Sequence, residues 1–193
     1  MSFGGRFIVI EALDGVGKST LAKGLAARLD GVAMSTPGQR LRPLVNSMLD
    51  EFHGDQVAHA LLYAATVRSA GIRAREIVGQ GLDVVMDRYW LSTVAYALTR
   101  GAPIDLNALE PLMPQPDISV LLTLDENERQ RRLRARGNAT DADIETLDPM
   151  FRSRVLHEMR RPRFEPAFRP IEVDVTGADQ VEAVARVLAA IRR

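Results

Sequence analysis

The stretch Phe7-Ile8-Val9-Ile10-Glu11-Ala12-Leu13-Asp14-Gly15-Val16-Gly17-Lys18-Ser19-Thr20 decides how the chain is read. Phe7 to Ile10 is a short apolar run of β-branched and aromatic residues, the pattern of a buried strand. Gly15, Gly17, Lys18 and Ser19 follow at P-loop spacing, and a helix starts at Ser19-Thr20. Strand, glycine loop and helix in that order are the context in which such a loop binds phosphate. Its amides curl around phosphate oxygens, and the helix N-terminus adds partial positive charge. Lys18 is expected to reach the β- and γ-phosphates, and the Ser19 hydroxyl to ligate Mg²⁺. Asp14 to Thr20, with Val16 between the glycines, is therefore the expected loop for the phosphates of a nucleoside triphosphate. The first glycine of the pattern is replaced by Ala12.

Moving outward, apolar patches alternate with turn signals. The helix after the loop is expected to end near Asp30-Gly31, followed by a short strand at Val32 to Met34. Leu41, Leu44, Val45 and Met48 fit one face of a second helix. Residues Gln56 to Val78 read as a long, apolar helix, buried in the core or against another subunit and open to a kink at Gly71. Further strands are expected at Leu82 to Asp87, Ile118 to Leu124 and Ile171 to Val175. Helices are expected at Leu91 to Thr99, Leu106 to Met113, Glu126 to Arg136, Phe151 to Met159 and Val181 to Ile191. Asn138 to Leu147 reads as a mobile polar loop. Strands separated by helices give a parallel sheet covered on both faces. With no repeat or linker in 193 residues, residues 1–193 are expected to form one doubly wound domain.

Composition narrows the function. Zero net charge argues against a dedicated nucleic-acid binder, and the absence of cysteine excludes disulfides and thiolate metal sites. No apolar run approaches the length of a membrane span, and the phosphate loop comes too early for a cleaved signal peptide, so a cytoplasmic protein is expected. Only two lysines, Lys18 and Lys23, stand against 23 arginines. His53, His59 and His157 are scattered without metal or dyad spacing.

Asp87 closes a hydrophobic strand at the sheet edge where such folds bind ligands. A carboxylate there can hold Mg²⁺ through water or take a proton from a hydroxyl, and Arg88 can neutralise a phosphate oxygen. The segment Met86-Asp87-Arg88-Tyr89-Trp90-Leu91-Ser92-Thr93-Val94-Ala95-Tyr96 resembles the Asp-Arg-Tyr…Ser…Ala-Tyr segment of thymidylate kinases. Phe7 to Thr20 is similar to that family's opening strand and P-loop. Gln115-Pro116-Asp117 resembles its Pro-Asp strand start, Arg132 to Gly137 its Arg-x-Arg-Gly lid entrance, and Ile171 to Ala189 its final strand, turn and helix.

The resemblance implies a three-layer α/β/α P-loop kinase fold with a five-stranded parallel sheet in the order 2-3-1-4-5. It implies phosphoryl transfer from ATP to a nucleoside monophosphate, dTMP foremost, with Mg²⁺ and as a homodimer. Carried over by motif, Asp14 and Asp87 lie near the metal and acceptor, with Ser19 on the metal. Arg88 holds the acceptor phosphate, and Tyr89, Ser92 and Tyr96 line the acceptor pocket. Arg68 corresponds to an arginine on the third helix. The lid, about residues 134–147, brings Arg134 and Arg136 to the transferred group rather than Arg129 or Arg131. The turn at Gly177 borders the adenine; its Asp174-Val175-Thr176-Gly177 resembles a GTPase Asp-x-x-Gly without the companion Asn-Lys-x-Asp.

Three departures sit at the acceptor end. Ser35-Thr36-Pro37-Gly38-Gln39 stands where the family has Arg-Glu-Pro-Gly-Gly. Ala97 replaces a glutamine, and Asp141-Ala142-Asp143-Ile144-Glu145 lacks the lid motif's arginine. Two other readings stay open here: a kinase acting on a hydroxyl of another small molecule, with Asp87 as general base, and an ATP-binding regulatory protein without transfer activity.

Overall fold

A computed structural model describes residues 4–137, 144–161 and 165–192. Residues 138–143, the middle of the expected loop and lid, lie outside the described residues, as do 162–164 in the proline-rich stretch before the last strand.

Five parallel strands form one sheet: β1 (Phe7–Glu11), β2 (Val32–Ser35), β3 (Val84–Asp87), β4 (Ile118–Thr123) and β5 (Ile171–Asp174). Their spatial order is β2-β3-β1-β4-β5, as the resemblance implied. β1 is central, with Ile10 paired to Asp87 on one side and to Val120 on the other. Successive strand side chains point to opposite faces. Ile8 and Ile10 accordingly join one core with helices α1 (Lys18–Arg28) and α7 (Gln180–Ile191). Phe7 and Val9 join the other with α3 (Gln56–Gly79) and α4 (Trp90–Thr99). Both faces of β1 being dry explains its unbroken apolar run. Three further helices, α2 (Arg42–Glu51), α5 (Glu126–Arg136) and α6 (Pro149–Arg160), complete the layers, with 3₁₀ turns at Leu106–Leu112 and Pro166–Phe168.

One expectation about helices needs correction. α2 forms, but of its proposed apolar face only Val45 is buried; Leu41, Leu44 and Met48 are exposed. Nothing described in this chain covers them. The long helix α3 is continuous through Gly71. A close approach requires a glycine there: a Cβ at Gly71 would lie 1.9 Å from the Tyr89 hydroxyl oxygen and 3.1 Å from Pro114 Cβ. The Tyr89 ring is buried against Phe7, edge-on at 5.2 Å, and its hydroxyl donates to the Pro114 carbonyl at 2.8 Å.

These contacts separate two glycines of one helix. Gly71→Ala forces the buried tyrosine to move and should cost about 1–3 kcal/mol or more. Gly79→Ala, with no atom within 4 Å of the added methyl, should be neutral or stabilising by up to about 1 kcal/mol. Urea unfolding of the two variants reads the difference directly.

Candidate active site

All five strands run parallel, so their carboxyl ends share one edge, and the P-loop follows the central strand there. Ala12 is fully buried in the core, which shows how a methyl replaces the usual first glycine without touching the phosphate side. Gly15 and Gly17 take φ of 85° and 102°, a region open chiefly to glycine. Space compounds the demand at Gly15, where a Cβ would meet Leu133 Cγ at 2.6 Å. Gly17 caps α1, whose first residues are Lys18 and Ser19.

A cleft of about 1450 Å³ opens over this loop. Its donor end is lined by Asp14, Gly15, Gly17, Lys18, Ser19 and Thr20. The side chain of Val16 is buried, and its carbonyl accepts from Arg132. Lys18 is buried, its ammonium donating to the Leu13 carbonyl at 2.8 Å and lying 3.4 Å from Asp14. Burial, with help from nearby Arg88, pulls its pKa below the ordinary lysine value.

Asp14 is held by two cations: Arg88 pairs with its Oδ1, and Lys18 approaches the same atom. Burial alone would raise this carboxyl, but Lys18 and Arg88 together hold it well below the usual carboxylate range. Arg88 gains in the opposite sense: burial works against its charge, Asp14 outweighs it, and the guanidinium stays protonated. The Tyr96 hydroxyl reaches Asp14 Oδ2 at 3.4 Å, and burial pushes its pKa up to about 12. Arg88 and Arg100 stand 5.6 and 5.4 Å from the centroid of the Tyr96 ring.

Asp87 is 8% exposed. Its Oδ2 accepts from the Ser19 hydroxyl, while its Oδ1 is buried with no hydrogen-bond partner. An unpaired buried carboxylate oxygen is costly and calls for a ligand. A Mg²⁺ ion takes oxygen donors and keeps several waters or phosphate oxygens, so a hydroxyl and one free carboxylate oxygen suit it. No cluster of three metal-ligating side chains occurs among the described residues. Asp14, expected beside the metal, is already neutralised by its two cations.

The acceptor end of the cleft includes Thr36, Pro37, Gln56, His59, Tyr63, Val67, Arg88, Tyr96 and Ala97. Tyr89 and Ser92 also border it, but their polar atoms turn inward, Tyr89 to Pro114 and Ser92 to Glu11. Arg68 needs correction. Residues 56, 59, 60, 63 and 67 form the cleft-facing stripe of α3, and a residue one step past Val67 lies about 100° around the helix. Arg68 therefore leaves the cleft and donates to the Leu112 carbonyl. Arg132 and Arg136, four apart, line the cleft, while Arg134 is exposed beside Gln130. Gly177 sits at φ 69° in the turn after β5, its N–H donating to Glu128 at 3.0 Å.

Sequence reading missed Glu11. Fully buried at the end of β1, it accepts from the amides of Tyr89 (3.0 Å) and Ser92 (3.3 Å) and from the Ser92 hydroxyl. Burial raises its pKa, and these donors oppose that rise. An acid ending an otherwise apolar strand was the available signal. Arg129 and Thr36 were missed too: Thr36 donates to the Arg88 carbonyl at 2.8 Å, beside a cis peptide bond to Pro37.

Known proteins resemble this chain in sequence and fold. Residues 10–167 match the thymidylate kinase family. A probable thymidylate kinase of Pyrococcus abyssi (strain GE5 / Orsay) is 36% identical over 156 residues, covering 72% of this chain and 75% of that protein. A thymidylate kinase of Xanthomonas oryzae pv. oryzae (strain PXO99A) is 33% identical over 164 residues, covering 79% and 70% respectively. The solved thymidylate kinase of Candida albicans superposes with a TM-score of 0.74 over 97% of this chain and 91% of its own, at 24% identity, a likeness of fold. Residue match and sheet order agree, and the chain belongs to the thymidylate kinase family.

Proposed function

We propose that this protein transfers the γ-phosphoryl group of ATP to dTMP, giving dTDP and ADP. The observation that carries the reading is the Ser19–Asp87 pair with its free buried oxygen, set in one cleft with Lys18 and the Asp14-anchored Arg88. Family membership and relatives named as thymidylate kinases supply the acceptor.

In this reading the loop amides of Gly15 to Lys18 wrap the donor phosphates, and Lys18 neutralises charge on the β–γ side. Ser19 and Asp87 would hold Mg²⁺, directly or through water, and the ion would supply further neutralisation of charge on the donor phosphates. Arg88, kept charged by Asp14, binds the acceptor phosphate and holds it in line. That phosphate is anionic at neutral pH, so alignment and charge neutralisation can supply the rate without a strong base. Arg136, on the cleft face of α5, covers the transferred group. A homodimer fits the exposed apolar side chains on α2 and on α3, where Leu61 and Ile72 are also uncovered. No described helix is long and apolar enough to cross a membrane, and the reading places the enzyme in the cytoplasm.

ADP release with Mg-ATP, measured over nucleoside monophosphates and nucleosides, tests the reading. Turnover with dTMP is expected; ADP release with nucleosides alone, or none with any compound, overturns it. Asp87→Asn should raise the Mg²⁺ needed for half-maximal rate by about 10–100-fold. Arg136→Ala should lower kcat by about 10²-fold or more, and Arg134→Ala should change it by less than about threefold. Steady-state kinetics on these variants checks each ratio.

A further inference from the structure

Arg129, on the same helix as Arg132 and Arg136, has a different surrounding. Its side chain is 1% exposed. A guanidinium carries five N–H donors, and all five are used. Nε and Nη2 donate to the Glu126 carboxylate at 2.8 and 2.9 Å. Nη1 donates to the Asp14 carbonyl at 2.9 Å and to the Thr146 hydroxyl at 3.1 Å. Nη2 also donates to the Thr146 carbonyl at 2.8 Å. No donor remains for a phosphate.

The Asp14 carbonyl is the informative partner. A trans peptide is planar, so its C=O and the next residue's N–H point in opposite directions. Fixing the Asp14 oxygen behind the loop fixes the Gly15 N–H on the other side, where Gly15 lines the cleft. Arg132 repeats the device one peptide pair later, donating to the Val16 carbonyl at 3.0 Å and so setting the Gly17 amide. Contact is close throughout, since a Cβ at Gly15 would stand 3.2 Å from Arg129 Cγ. Glu126 is braced in turn by Arg152 at 3.2 Å, and Thr146 lies beside Glu145, which pairs with Arg100 at 2.6 Å.

We propose that Arg129 is a positioning residue for the donor site: from behind the P-loop it holds the Asp14 carbonyl and thereby turns the Gly15 N–H toward the bound phosphates. The inference rests on the P-loop binding ATP as in the proposed function, and not on the identity of the acceptor. A flexible or misaligned loop must spend binding energy on ordering itself, which a preset one does not.

Calorimetric titration of the full chain with Mg-ATP, without acceptor, tests it. Arg129→Met is expected to weaken Mg-ATP binding by about tenfold or more. Arg129→Lys should remain nearer to Arg129→Met than to wild type, because a lysine restores charge but not the planar fork. Affinity for dTMP in a parallel titration should fall by less than that for Mg-ATP, since Arg129 holds the Asp14 carbonyl and not the carboxylate that pairs with Arg88. Unchanged Mg-ATP affinity in folded Arg129→Met overturns the proposal. Full recovery by lysine, or an equal loss of both ligands, overturns it as well, pointing to bulk charge or general loosening. If neither Arg129 variant folds, Glu126→Gln, which weakens the clamp at a partly exposed position, decides: a drop in Mg-ATP affinity supports the proposal and no change overturns it. A wild type that binds no dTMP counts against the proposed acceptor, and the Mg-ATP arm then carries the test alone.

Discussion

A carboxylate with no access to water holds the reactive end of this sheet together. Glu11 closes β1 and receives hydrogen bonds from Tyr89, from the Ser92 amide and from the Ser92 hydroxyl, all around the start of α4. Burying an unpaired charge of this kind would cost several kcal/mol. Here the N-terminus of α4 presents donors and the positive end of the helix dipole to it. The consequence falls on Arg88, the residue between. It sits at φ 66°, a left-handed conformation uncommon outside glycine. Its own amide donates to the Ile10 carbonyl at 3.0 Å, its carbonyl accepts from Thr36, and the following amide goes to Glu11. Two residues of β1 and the residue that follows β2 thus specify one unusual backbone geometry, the situation in which local strain persists at a working site.

How much of this could be read in advance follows from what each signal depends on. β1 and the glycine loop were legible because both are local: an apolar run long enough to be buried on two faces, then glycines that φ and packing require. Strand order came from the family resemblance, since spacing alone gives a parallel sheet without its order. The arginines of α5 were harder. Five of them within eleven residues carry the same chemistry, and only helix phase separates Arg132 and Arg136 on the cleft from the exposed Arg134 and the walled-in Arg129. Arg68, taken from the family resemblance, lies one helix step beyond Val67, which lines the cleft. Glu11 stood out only as an acid ending an apolar strand; its partners lie 78 and 81 residues away, and only the folded edge brings them together.

The departures from the family pattern gain meaning from the geometry. Thr36 occupies the position where an acid is usual, and a hydroxyl there secures the Arg88 carbonyl with a neutral bond. Asp14 is left as the carboxylate paired with Arg88. At the far wall, Val67 and Ala97 are apolar where the cleft meets α3 and α4.

The scarcity of lysine has a use outside enzymology. The chain offers two side-chain amines, Lys23 on the solvent side of α1 and Lys18 within the phosphate loop. Lys18 is enclosed, bonded to the Leu13 carbonyl and softened in basicity by burial. Among side chains, amine-directed acylation therefore meets one open target and one that only a reagent delivered into the loop can reach. A mass label at residue 18, read against residue 23 as an internal standard, becomes a built-in gauge of whether the nucleotide seat is filled.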